Sequence, residues 1–172
     1  MKETINYPIF LFEEPILIPK IHEEAKELLS KIEIILDKCE TSRKIKSKAY
    51  NLCCEYFQTN FKLELNATFN LSFLEKNDVK LEFIFNDKEG EFVKQLRKYN
   101  QVFKEKGFLE FKTLYKGVLV KNKLYSSERK FSVEDNVIIM LYSHFWNNKY
   151  IFKEEITKED KFKITYQIRN KV

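Results

Sequence analysis

Residues 61 to 73 alternate apolar and polar without interruption. Phe61, Leu63, Leu65, Ala67, Phe69, Leu71 and Phe73 fall on one side, and Lys62, Glu64, Asn66, Thr68, Asn70 and Ser72 on the other. A period of two belongs to a strand with one dry face and one wet face. At about 3.4 Å per residue the segment would run roughly 43 Å, so the pattern predicts one strand spanning a whole sheet. The alternation resumes at Val79, Leu81, Phe83 and Phe85 after a turn at Glu75 to Asp78, which reads as a hairpin. It returns at Phe162, Ile164, Tyr166 and Ile168, predicting another half-buried strand.

Helical spacing dominates earlier in the chain. From Pro19 onward, Ile21, Ala25, Leu28, Leu29, Ile32, Ile35 and Leu36 recur on one face, with Glu23, Glu24 and Glu27 at the positive end of the dipole. Thr41 or Ser42 then caps a second helix to about Gln58, with Ile45, Ala49, Leu52, Cys53 and Tyr56 on its apolar side. Residues 1 to 18 hold two of the three prolines and read as an edge strand or extended arm. A third helix is predicted over Lys88 to Lys106, closed by Gly107, and strands over Phe108 to Lys116 and Val118 to Tyr125. Ser132 with Asp135 opens a fourth helix running to Lys149.

These elements predict an α+β fold: a long antiparallel sheet of about five to seven strands with helices packed on one face, including two N-terminal helices. One domain is expected over residues 1–172, made of an arm or edge strand (1–18), a helical pair (19–58) and mixed sheet and helices (59–172). The 16 Phe and 9 Tyr accompany abundant Lys, Asn and Ile and few Pro and Gly, as a genome rich in A and T produces. Neither the rings nor the net charge of +5 is therefore evidence of function on its own.

Several chemistries lack their residues. Cys39, Cys53 and Cys54 are odd in number and form no C-x-x-C pair, so a disulfide framework or a zinc knuckle is not expected. No signal peptide is read at the N-terminus, and the longest apolar run, Val137 to Tyr142, is far short of a membrane span. A cytoplasmic chain without membrane attachment is expected. Gly90, Gly107 and Gly117 are too scattered for a phosphate-cradling loop. His22 sits on the charged side of the first helix, and His144, among Tyr142, Phe145 and Trp146, reads as a core histidine. Cys53 and Cys54 read as small buried hydrophobes. No catalytic residue, metal or cofactor is assigned on this reading.

Charge is segregated: residues 1 to 40 are acidic, and residues 41 to 58, 88 to 106 and 107 to 131 are basic. Lys112, Lys116, Lys121, Lys123, Arg129 and Lys130, interleaved with Tyr115 and Tyr125, form a candidate basic ribbon, joined by Arg43, Lys44 and Lys46 on the second helix. Cations there meet phosphates and rings stack on bases, which suits single-stranded nucleic acid, or the cations meet an acidic protein. The competing reading is that lysines on an edge strand prevent pairing with other chains. A non-enzymatic binding or adaptor domain is the leading expectation, and docking of the acidic first helix on another copy's ribbon is a further one.

Glu110-Phe111-Lys112, preceded by Asp87, resembles the metal-nuclease half-motif of the restriction-endonuclease-like fold. The resemblance implies that Asp87 and Glu110 hold Mg²⁺ and that Lys112 steadies the attacking water. A helix intervenes here where that family has adjoining strands, and Glu-x-Lys also occurs at Glu24, Glu128 and Glu159. The third expectation is a carrier, with an apolar ligand enclosed between a curved sheet and its helices, against the alternative of a filled core.

Overall fold

The computed structural model describes residues 9–38, 42–125, 132–145 and 150–169. The chain forms two compact units, one from residues 1–86 and 149–172, the other from residues 87–148.

The first unit is built on a six-stranded antiparallel sheet. Its strands are β1 (Ile9–Phe10), β2 (Ile16–Leu17), β3 (Ala67–Phe73), β4 (Val79–Phe85), β5 (Tyr150–Ile156) and β6 (Phe162–Ile168). The order is β1-β3-β4-β6-β5, and β2 pairs with the same strand, β3, as β1 does. Helices α1 (His22–Asp37) and α2 (Arg43–Leu63) complete the unit. Together with the helices of the second unit this is the α+β class that the sequence predicts.

Period-two side chains give the sheet an apolar face. Phe69 aligns with Phe83 and Phe83 with Ile164, while Leu71 aligns with Leu81 and Leu81 with Tyr166. All six are fully buried. α2 packs on that face, with Tyr56 stacked on Phe83 at 3.9 Å between ring centroids and Phe57 edge-on to Phe69 at 5.0 Å. α1 lies against α2 through Ala25, Ile32 and Leu36.

The uninterrupted strand expected over 61 to 73 is shorter. α2 continues through Leu63, and Glu64 ends it at φ 52°, a left-handed residue whose N–H bonds the Asn60 carbonyl. Three alternating residues fit a helix as well as a strand, and a helix already stabilised by buried Tyr56, Phe57 and Asn60 extends through them. Only Ala67–Phe73 remains extended.

β1 and β2 are two-residue strands on the edge of β3, and residues 1–8 of the expected arm lie outside the described residues. After β1 the Leu11 N–H still donates to the Leu71 carbonyl at 2.7 Å, and at Phe12 the Asn70 side chain supplies the bonds instead. Its Oδ1 accepts from the Phe12 N–H at 3.2 Å and its Nδ2 donates to the Phe12 carbonyl at 3.0 Å. β5 lies where the sequence reading assigned no element.

The second unit is helical: α3 (Glu91–Lys106), α4 (Phe108–Leu114), α5 (Lys116–Tyr125) and α6 (Val133–Phe145). α3 packs on α6 around Phe92, Val93, Leu96, Val137, Ile138 and Leu141. Ser132 caps α6 as predicted, its Oγ accepting from the Asp135 N–H at 3.1 Å. Gly107 ends α3 at φ +82°, a conformation open to glycine and strained for other residues.

The strands expected over Phe108 to Lys116 and Val118 to Tyr125 are helices α4 and α5. A second pattern underlies the alternation, since Phe108, Phe111, Tyr115, Val118, Leu119 and Asn122 recur at helical spacing and are the least exposed residues of the segment. Phe111 is fully buried, with Phe103 at 5.9 Å and Tyr115 at 4.8 Å. These contacts hold the segment helical.

Candidate functional site

The candidate ribbon residues fall in both units, Arg43, Lys44 and Lys46 in the first and Lys112 to Lys130 in the second. Arg43 and Lys44 are exposed in the first turn of α2. Lys46 Nζ donates to the Asp37 carbonyl at 3.1 Å, placing a cation at the C-terminal end of α1, whose own last turn has none. Part of that basic group thus has a structural task.

In the second unit Lys112 lies on α4 and Lys116, Lys121 and Lys123 on α5, all exposed. Because the segment is helical, these lysines do not guard a sheet edge, and the edge-strand reading is corrected. Tyr115 is held edge-on to Tyr99 at 5.2 Å and to Phe111, so its ring belongs to the packing rather than to a base-stacking platform. For Tyr125 only the backbone is described, and Arg129 and Lys130 lie outside the described residues.

Sequence reasoning missed the apolar companions of these lysines. Leu109 is 78% exposed and Leu124 65%, and Leu114 and Val120 are also about half exposed. A helical wheel of α5 would have found two of them: at about 100° per residue, Lys116, Val120, Lys123 and Leu124 share one side, opposite Val118 and Asn122. The exposed residues of α4 and α5 are therefore both basic and apolar.

The nuclease half-motif is distributed differently. Glu110 and Lys112 lie on α4, where a spacing of two turns side chains about 200° apart, whereas on a strand they would share a face. Glu110 pairs with Lys106 at 3.7 Å. Asp87 Oδ1 accepts from the Glu89 N–H at 3.0 Å in the turn before α3. Among the described residues no group of three or more His, Cys, Asp and Glu is placed to hold a metal.

A second polar cluster lies on the far face of the sheet, on a register that no sequence pattern specifies. Glu82 accepts from Lys163 at 2.6 Å and from Lys80 at 3.1 Å, and Lys163 also meets Glu155 at 3.2 Å. Burial alone would push the Glu82 carboxyl up, but the hydrogen bonds and charges of Lys163 and Lys80 bring it below its ordinary range. Burial likewise acts to lower Lys163, and its bonds to Glu82 and Glu155 raise it overall. At neutral pH the carboxylate stays ionised and the ammonium protonated. Neither is poised as a general acid or base, so the cluster fixes register across β4, β6 and β5.

Burial also raises both described thiols of the first unit. Cys53 is fully buried and its thiol pushed up by burial, then by Cys54. Cys54 is also raised, burial and the charges of Glu55 and Glu33 outweighing a bond from Tyr50 that lowers it. Tyr56 and Tyr166 share a hydroxyl bond of 2.6 Å inside the core. The rings of Tyr56, Phe83 and Phe69 stack against one another on the inner face of the sheet.

No family model, curated protein or solved structure matches the chain. Among the described residues no helix is long and apolar enough to cross a membrane. The fold therefore defines a class, an α+β protein with a six-stranded antiparallel sheet, and the chemistry of its surfaces carries the functional argument.

Proposed function

We propose that the chain is a non-enzymatic binding or adaptor domain of the cytoplasm and that the α4–α5 surface is its docking face for an acidic protein. The carrying observation is the mixture along α4 and α5: Leu109, Leu114, Val120 and Leu124 are exposed, and so are Lys112, Lys116, Lys121 and Lys123. Exposed aliphatic side chains rimmed by charge are the composition of protein interfaces, whereas nucleic acid offers phosphates and stacking surfaces that leucines match poorly. The inward packing of Tyr115 weighs the same way.

The test is fluorescence anisotropy of a labelled acidic amphipathic peptide and of labelled single-stranded oligonucleotides, at about 50 and 300 mM salt. Peptide binding weakened by both Lys123→Glu and Leu124→Ser supports the reading. Oligonucleotide binding that depends on Lys123 and ignores Leu124 would replace the partner with nucleic acid. Binding of neither probe at low salt would overturn the docking face.

A further inference from the structure

The exposed residues of α5 follow a heptad. Gly117, Val120 and Leu124 are spaced by three and then four residues, so at about 100° per residue they fall within about 60° of one another on the helix surface. In a coiled coil these are the a and d positions of the seam. The e and g positions beside them are Lys121 on one edge and Lys116 and Lys123 on the other. All six residues are exposed, Val120 by 46% and Leu124 by 65%, whereas Val118, Leu119 and Asn122, on the other side of the helix, are less so. Beyond its own helix backbone and chain neighbours, no described atom lies within 4 Å of where a Cβ on Gly117 would stand, so the seam keeps a gap at its first position.

We infer that the acidic partner presents a helix, which lies along α5 as the second strand of a short coiled coil. The inference rests on the proposed docking face and names the form of its occupant. Aliphatic residues at the partner's a and d positions cover Val120 and Leu124 and enter the gap at Gly117, removing apolar area from water. Carboxylates at its e and g positions meet the three lysines, steering encounter and fixing register. Another copy's α5 does not suit this seam, because lysine would face lysine in either orientation.

Two labelled peptides of three heptads and identical composition test it. One places Leu at a and d and Glu at e and g. In the other the same residues are reordered so that no helical seam forms. Each is titrated with the full chain to about 500 µM in about 50 and 300 mM salt, followed by fluorescence anisotropy and by the helicity of the peptide in circular dichroism. The heptad peptide is expected to bind at least about tenfold more tightly than the reordered one, to become helical on binding and to weaken roughly tenfold at high salt. Val120→Ser with Leu124→Ser in one variant, and Lys116→Glu, Lys121→Glu and Lys123→Glu in another, should each weaken it at least about tenfold. A peptide with Lys at e and g should bind the second variant, and that recovery also shows the variant to be folded.

Equal binding of the two peptides, a bound heptad peptide that gains no helix, indifference to either variant, or no recovery with the lysine peptide by a variant whose circular dichroism is that of wild type overturns the inference. Equal binding that is nonetheless lost in both variants leaves the docking face standing with an acidic partner that is not a helix. Binding of neither peptide at low salt removes the face and the inference together.

Discussion

Replacing Glu82 by Gln keeps the shape of the side chain and removes the charge that two lysines share. Glu82 is 12% exposed at its side chain, Lys163 22% and Lys80 29%, so the pairs are only partly wet. A hydrogen bond to a charged group is worth about 1.5–3 kcal/mol net, and solvent at the lysine heads reduces the sum of two such bonds. The expected loss at pH 7 is about 2 to 3 kcal/mol, or about 4 to 12 °C in Tm for a chain of this size.

Because the carboxyl is held below its ordinary range in the folded state, its stabilisation is complete above the unfolded pKa. It disappears as pH falls through the lowered folded value. Lys163 has the opposite sign: its share is present below the ordinary lysine pKa and is lost as pH rises through the raised one. The gap between wild type and Glu82→Gln should therefore be flat across neutrality and close below the ordinary glutamate range. Urea titrations at several pH values measure it. A gap under about 0.5 kcal/mol at pH 7, or one unchanged down to about pH 3, would refute the account.

Three further outcomes follow from the first unit. Phe83→Ala removes a fully buried ring stacked on Tyr56 and should cost about 3–5 kcal/mol in urea unfolding. Asn60 is 1% exposed and neither its Oδ1 nor its Nδ2 has a hydrogen-bond partner among the described residues, so Asn60→Leu should stabilise by about 1–2 kcal/mol; destabilisation would mean that the amide is satisfied. Asn70→Ala removes both side-chain bonds to the Phe12 main chain and should speed hydrogen exchange of the Phe12 amide at least about tenfold without comparable change along β4.

The elements most legible in the sequence are those whose pattern and boundary agree. α1 has a helical stripe and an acidic first turn, α3 ends on Gly107, and the β3–β4 hairpin has alternation on both sides of a short turn. Phe61 to Leu63 and Phe108 to Tyr125 carry two periods at once, and local pattern chose the wrong one. Packing chose the other: Phe111 against Phe103 and Tyr115, and the continuation of α2 to Glu64. β5 escaped notice because Tyr150–Ile156 has little alternation of its own and takes its strand state from pairing with β6.

The candidate site divides the same way. The lysines of 112 to 123 were visible as a charge run, but their companions Leu109, Leu114, Val120 and Leu124 became significant only once the segment was a helix with those residues outward. The Glu82, Lys80, Lys163 and Glu155 cluster joins three strands, two of them separated from β4 by more than sixty residues of chain, and depends on the cross-strand register. Sequence alone determined what is local: the periods, caps and turns, and therefore the α+β class. Tertiary structure decided which of two competing periods was realised and which distant side chains met, because burial free energy is gained only against a partner surface.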